Sequence, residues 1–505
     1  MVSSTYTVSL QGAEARLVEV QCASMAGLPG FHMVGLPNKA VSEARERIRS
    51  ALNALALALP AKRITLHLAP ADLPKEGAHY DLPIAIALLA ELGLLEREVA
   101  ANTLSLGELT LDGRLLPVAG CLPAALTAAQ SERQILVPAD NGSEAAWVGA
   151  AEVTAPATLE EALHHLTGKR PLPRMRAALP KPDDGEIKRD LNDIRGQERA
   201  KRALEIAAAG GHHLLMTGPP GQGKSMLARA FPSLLPDLTA AEMLETAVIR
   251  SVAGKGTAPV VSAIRPFCDP HHGASQAAIC GGGRGAGPGQ VALAHNGVLF
   301  LDELPEFAPR TLDALRQPLE TGEILIARAE AQVRYQSRFQ LIGAANPCRC
   351  GHAADPARAC SRAPRCSEEY LGRISGPLWD RFDLRIDVPP LTAAEMSAAP
   401  RGEASAVIRE RVIKARARQA DRWGPDGLNA RAGGADLEDR AGASPDAMAL
   451  LTRAAERFGL STRGYHRVLR VARSIADLAE SDGLNSRHMA EALGYRGTAG
   501  RHGQA

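Results

Sequence analysis

The stretch Gly218-Pro219-Pro220-Gly221-Gln222-Gly223-Lys224-Ser225 fits the pattern G-x-x-x-x-G-K-[ST] and stands between an apolar run, "HHLLMTG", and a helical one. Glycines at these points let backbone N–H groups curl around phosphate oxygens. Lys224 is then placed to reach the β and γ phosphates of ATP, and the Ser225 hydroxyl to hold Mg²⁺. Roughly eighty residues on, "GVLFLDEL" ends an apolar strand in Asp302 and Glu303. Asp302 can orient the water shell of the Mg²⁺, and Glu303 can polarise the attacking water as general base. "LIGAANP" ends a further strand in Asn346, whose amide either orients that water or starts a turn before Pro347. Arg381, between two acids in "SGPLWDRFDL", is either an ordinary ion pair or a finger that reaches a neighbouring subunit's γ-phosphate. Arg463 opens the helical stretch "STRGYHRVLRVARSIADL".

A second chemistry is carried by thiols. Cys348, Cys350, Cys360 and Cys366 fall within nineteen residues. Clustered soft thiolates suit a tetrahedral Zn²⁺ that pins a polar loop, with four free thiols as the alternative and His352 as a possible substitute ligand. Cys22, Cys121, Cys268 and Cys280 are scattered and read as packed side chains.

These residues need elements to hold them. The runs "HHLLMTG", "GVLFLDE" and "RFQLIGAANP" alternate with helical patterns, which predicts a parallel sheet with helices on both faces. "LETGEILIARAEAQVRYQSRFQ" reads as two strands around Ala329-Glu330-Ala331. Upstream, "AVSEARERIRSALNAL" has helical spacing, "KRITLHLAP" alternates like a strand, and Asp112-Gly113 marks a hairpin turn. From about Thr392 strands vanish, and the basic stretch "RERVIKARARQADR" reads as a solvated helix face. Residues 169–190, with four prolines and many charges, read as a linker. A length of 505 residues predicts two to four domains.

Composition excludes rather than identifies. With 58 Lys plus Arg against 56 Asp plus Glu, the charge neither demands nor excludes a nucleic-acid partner. Aromatics at 3% argue against a broad base-stacking platform. No signal peptide is visible, and the longest apolar run, "LPIAIALLA", stops at Glu91, too short to cross a bilayer. The expectation is a cytoplasmic protein with no membrane partner, whose thiols are reduced.

The ordered set "GLPGFHMVGLPNKAVSEARERIRSAL", "RPFCDPHHGASQAAICGGG", "PGQVALAHNGVLFLDELPEF", "AANPCRCG" and "ISGPLWDRFDL" resembles the ComM/YifB-type magnesium-chelatase-like AAA+ ATPases, up to about Arg496. The resemblance implies an α/β architecture in three parts. Residues 1–168 would be an α+β domain with the Lon-protease (ribosomal S5 domain 2-like) fold, followed by the linker 169–190. Residues 191–391 would be the AAA+ P-loop domain carrying a zinc-binding loop at 348–366, and residues 392–505 a helical lid. It implies a homo-hexamer with Asn346 as sensor 1, Arg381 as arginine finger and Arg463 as sensor 2. Members are similar to a helicase that drives branch migration as transforming DNA is integrated. Single-stranded and branched DNA, and recombination proteins, would then be the partners. Where Lon has its Ser and Lys, this chain has residues near His79–Asp81 and Leu122, so no nucleophile-base pair is expected. The paired strands become a pore hairpin whose Arg328 and Arg334 either meet DNA phosphates or pair with Glu323 and Glu330. The stretch from Asp269 to Gly287 becomes a second pore element, with His271, His272 and Arg284 as donors. A metallochelatase motor and an ATP-gated scaffold for recombination proteins are the rival readings.

Overall fold

Two sheets of different polarity organise the chain in a computed structural model that describes residues 2–35, 38–177, 189–254, 260–283, 286–327, 332–351, 360, 362 and 364–496. The first contains β1 (Ser3–Gln11), β2 (Glu14–Met25), β3 (Gly30–Val34), β4 (Arg63–Ala69), β5 (Thr103–Ser105), β8 (Gln134–Leu136) and β9 (Glu152–Thr154), while β6 (Glu108–Leu109) and β7 (Leu115–Leu116) pair apart. Its order is β3-β4-β2-β1-β5-β8-β9. β1/β2 and β2/β4 are antiparallel and the other neighbours parallel. Asp112-Gly113 forms the turn between β6 and β7, with Gly113 at φ 85. The apolar run "LPIAIALLA" is a core helix, Asp81–Glu91, buried from Asp81 through Ala90. Among the described residues no helix is long and apolar enough to cross a membrane.

The residues His79 to Asp81 are locked into this core. His79 Nε2–H donates to the Val8 carbonyl at 3.0 Å. Asp81 accepts from Arg47 through both nitrogens, at 2.6 and 2.9 Å, and from the Leu109 amide at 3.1 Å. Leu122 is buried at the foot of helix Cys121–Gln130. That helix packs on helix Ala240–Ala253 of the second sheet's layer, where the Ser251 carbonyl accepts from the Gly120 amide and its hydroxyl from the Leu122 amide.

The second sheet contains β10 (Leu214–Thr217), β11 (Phe267–Cys268), β12 (Val298–Leu301), β15 (Gln340–Ala345) and β16 (Leu384–Asp387), all parallel, in the order β11-β12-β15-β10-β16. Alternation along each strand divides two cores. Leu214, Met216, Val298, Phe300, Ile342 and Ala344 face one, while Leu215, Leu299, Leu301 and Leu341 face the other. Between β12 and β15 the hairpin of β13 (Glu323–Ala327) and β14 (Gln332–Gln336) buries Ile324, Ile326, Val333 and Tyr335 and exposes Leu325 and Arg334. The β1–β2 turn rests on it. Gly12 has φ 65, and a Cβ there would come 2.5 Å from Val333 Cγ1. Residues Ala329–Ala331 at the expected hairpin tip, and 178–188 of the expected linker, lie outside the described residues. The Met175 amide, inside the expected linker, donates to the Val153 carbonyl at 2.9 Å.

Every described element after Asp387 is helical. Helices Ser405–Trp423 and Thr462–Leu478 add Ile408, Val412, Ala415, Val468, Ala472 and Ile475 to the first of the two cores. They pack against helix Glu198–Gly210 and the starting edge of the sheet, with His212 Nε2 hydrogen-bonded to Ser474 Oγ at 2.7 Å and Arg467 donating to Asp383 at 3.1 Å. Gly210 permits this approach, since a Cβ there would lie 2.2 Å from Ser474 Oγ. The basic helix is not the solvated face expected. Arg409 pairs with Asp237, Arg411 with Glu205 and Glu403, Arg418 with Asp482, and Arg422 with Asp477, while Arg416 donates to the Ala208 carbonyl. Acids from neighbouring elements neutralise the cations, so the helix is a clamp within the fold.

Burial pushes His79 down from 6.5 to about 4, against the smaller opposing effect of its bond to Val8. A depressed histidine pKa means the unfolded chain binds a proton first, so stability is present above about pH 6.5 and falls as pH drops toward about 4. We predict a loss of about 3 kcal/mol over that window, read as the first unfolding transition against pH. His79→Gln should flatten that dependence; an unchanged slope would place the titration elsewhere.

Candidate nucleotide site

The P-loop begins where β10 ends. The Gly218 amide donates to the Ala345 carbonyl at 3.1 Å, and a Cβ at Gly218 would meet the Val388 carbonyl oxygen at 2.3 Å. Gly221 and Gly223 have φ 79 and 81, and a Cβ on either would find no atom within 4 Å, so their backbone lines open space. Gln222 Oε1 accepts the Leu391 amide at 3.2 Å, tying the loop to the chain beyond β16. Pro219 and Pro220 complete the curve, and Gly351 sits so close that a Cβ on it would come 2.7 Å from Pro220 Cδ.

The charged groups converge on that space. Lys224 Nζ donates to the Gly218 and Pro219 carbonyls at 2.6 and 2.7 Å and to Asn346 Oδ1 at 3.2 Å. Burial lowers its pKa, while Asp302 and Glu303 oppose the shift. Ser225 Oγ donates to Asp302 Oδ2 at 2.6 Å, and the Glu303 amide to Asp302 Oδ1 at 2.9 Å. Glu303 takes φ 51, a left-handed conformation that costs a non-glycine residue about 1–3 kcal/mol and turns the chain sharply after β12. Its side chain is half-exposed, with Oε2 3.3 Å from His272 Nδ1.

Gly218 through Ser225, Asp302, Glu303 and Asn346 are therefore brought together at the finishing edge of the sheet. Arg381 and Arg463 are not. Arg381 precedes β16 and is ion-paired with Glu320, at the starting edge, where the neighbouring Asp383 amide donates to the His213 carbonyl just before β10. Burial, then the charges of Arg467, Arg463 and Arg316, lower the Arg381 pKa, so these arginines share that edge. Arg463 itself is exposed, on the first turn of helix Thr462–Leu478.

The remaining candidates divide. The four sulfurs of Cys348, Cys350, Cys360 and Cys366 lie within 4.8 Å of one another, directly after Asn346. His352 lies outside the described residues, as do Arg328, Glu330 and Arg284. Arg334 projects from the exposed face of the hairpin and pairs with Glu323 at 3.4 Å. His271 Nδ1 accepts the Gly273 amide at 3.0 Å. His272 lies beside Glu303 within the nucleotide site. Sequence spacing alone missed that neighbour, which follows from the pairing of β11 beside β12.

The residues fit ATP with Mg²⁺. Lys224 is bound to neutral oxygens that phosphates can replace, glycine backbone lines an open cradle, and a hydroxyl–carboxylate pair stands beside it. Sheet order and site together define a P-loop protein of the AAA+ class. Comparison with known families is specific. Family profiles described as magnesium chelatase subunit ChlI match residues 190–396 and 18–141, and one for the ChlI C-terminal region matches 402–496. Competence protein ComM of Haemophilus influenzae is 44% identical over 495 residues, covering 97% of this chain and 96% of that protein. The uncharacterized protein YifB of Escherichia coli is 44% identical over 504 residues, covering 98% and 97%. The magnesium-chelatase 38 kDa subunit of Rhodobacter capsulatus is 28% identical over 212 residues, 39% of this chain and 54% of that subunit. The chain belongs to the ComM/YifB family of magnesium-chelatase-like AAA+ proteins.

Lys224→Ala is expected to abolish nucleotide binding, and Glu303→Gln to retain binding while turnover falls by about 10²-fold or more. Fluorescent-nucleotide titration and phosphate release separate the two; equal loss of binding in both variants would contradict these roles.

Proposed function

We propose that this chain is an ATP-driven motor that moves branched DNA during recombination of incoming strands. The observation that carries the reading is coverage. The likeness to a protein named for competence runs through 97% of the chain, whereas the chelatase subunit matches only 39%. The β13–β14 hairpin is read as the element that meets DNA, with Arg334 on its exposed face exchanging Glu323 for a phosphate.

In this reading ATP lies in the cradle from Gly218 to Ser225. Mg²⁺, held by Ser225 and Asp302, supplies charge neutralisation at the β and γ oxygens. Lys224 binds those phosphates, Asn346 orients the attacking water, and Glu303 takes its proton. Arg381 and Arg463 stand too far along the sheet to serve their own chain's nucleotide. They act on the next subunit's, in an assembly read here as a homo-hexamer in the cytoplasm. Residues 1–168 are an assembly or DNA-contact domain of Lon-like fold without a nucleophile, since His79 and Asp81 are committed to internal bonds. Residues 191–391 are the motor and 392–505 its helical lid, joined through 169–190. Cys348, Cys350, Cys360 and Cys366 hold Zn²⁺, because a tetrahedron with bonds of about 2.3 Å has edges of roughly 3.8 Å, and the sulfurs lie within 4.8 Å.

Two experiments test this. The first is displacement of a labelled strand from a synthetic four-way junction with ATP, expected for the wild type and absent in Lys224→Ala and Glu303→Gln. Turnover stimulated by DNA without displacement would favour a scaffold for recombination proteins, and turnover indifferent to DNA would favour a chelatase motor. The second is elemental analysis, expected to find about one Zn per chain and its loss in a Cys350→Ser/Cys360→Ser double variant. Metal-free wild type purified with reduced thiols would reject the zinc site.

A further inference from the structure

The cysteine cluster and the nucleotide site share one piece of chain. Asn346, whose Oδ1 accepts from Lys224 Nζ at 3.2 Å, stands only two residues before the buried Cys348. Pro347, between them, is held from the far end of the cluster. Cys366 lies on helix Arg365–Leu371, and the next residue, Ser367, donates its hydroxyl to the Pro347 carbonyl at 2.6 Å. Burial, then the charges of Glu306 and Glu303, push the Tyr370 phenol of that helix up to about 12, while a hydrogen bond with the Asn346 backbone opposes the shift. The helix therefore lies along the loop that carries Asn346.

A second contact runs to the P-loop. The Cys348 carbonyl accepts the Gly351 amide at 3.0 Å, closing a turn that leaves Cys350 exposed. Gly351, at φ 82, is buried against Pro220, where a Cβ would come 2.7 Å from Pro220 Cδ. The cluster thus touches the ATP site twice, at the amide that faces Lys224 and at the curve of the cradle. A metal takes these sulfurs as thiolates; without one they stay thiols, joined at most by weak S–H bonds. Small displacements count this close to the chemistry, since a misplacement of about 1 Å can cost roughly 10²-fold in rate.

We propose that the four-cysteine centre is a positioning element of the nucleotide site, whose loading with metal decides how firmly Asn346 and Pro220 are held for ATP turnover. The identity of the metal rests on the zinc reading given above. The struts from Ser367 to Pro347 and from Gly351 to Pro220 belong to the chain itself.

The test uses the full chain as isolated and after a zinc-selective chelator in excess Mg²⁺, together with Ser367→Ala, Ser367→Thr and Gly351→Ala. For each, phosphate release, titration with a fluorescent ATP analogue, metal content and circular dichroism are measured. Chelation is expected to lower kcat about tenfold or more with the secondary structure retained, and added Zn²⁺ to restore it. Ser367→Ala should keep its metal and lose about threefold or more in kcat, with KM within about twofold, and Ser367→Thr should recover the loss. Gly351→Ala should keep its metal and weaken analogue binding about threefold or more, because its Cβ presses on the cradle. Unchanged kcat and affinity after the metal has been removed overturn the coupling, as does full kcat in Ser367→Ala with the metal in place. A wild type that carries reduced thiols and takes up no metal rejects the zinc reading and the metal's part in this proposal, and Ser367→Ala then decides the strut alone.

Discussion

A parallel sheet has two unlike edges, and the geometry of this protein depends on that asymmetry. Every strand of β11-β12-β15-β10-β16 finishes on the same side, so the segments that leave β10, β12 and β15 must meet there. Those segments carry Gly218 to Ser225, Asp302 with Glu303, and Asn346. Arg381, which precedes β16, is carried to the opposite edge by the same polarity. A site that needs both sets of groups cannot be completed by one copy of the sheet. In our reading a second copy of the chain supplies Arg381 to the cradle of the first.

The cradle is held open by bonds that a nucleotide can exchange. Lys224 is desolvated and spends its donors on two loop carbonyls and an amide oxygen. Binding phosphates replaces neutral acceptors with charged ones, which strengthens each bond about twofold. The surrounding frame is stiff: strands buried on both faces, Gly218 against Val388, and Gln222 bonded to Leu391. C-terminal helices brace the starting edge through Ser474 to His212 and Arg467 to Asp383.

Features that depend on near neighbours in sequence were legible without coordinates. The P-loop is contiguous, the apolar strands announce a parallel sheet, and the Asp112-Gly113 turn arises from local pattern. The cysteine spacing anticipated that four sulfurs converge. Features that depend on strand order were hidden. Neither the edge occupied by Arg381 nor the contact of His272 with Glu303 can be read from spacing, because each needs the lateral neighbour of a strand. Charge pattern misled at Ser405–Trp423. A helix with cations around it looks solvated until Asp237, Glu205, Asp477 and Asp482 arrive from elements far away in the chain.

The central claim is that a complete ATP site is shared between copies of this chain. Its most direct test mixes two inactive variants, Lys224→Ala, which lacks a working cradle, and Arg381→Ala, which lacks the arginine offered to the neighbour. If sites form between subunits, assemblies containing both variants recover ATP turnover at the interfaces that pair an intact cradle with an intact Arg381. If mixed assemblies form, shown by co-purification of two tags, and turnover stays at the level of the separate variants, the shared site is contradicted.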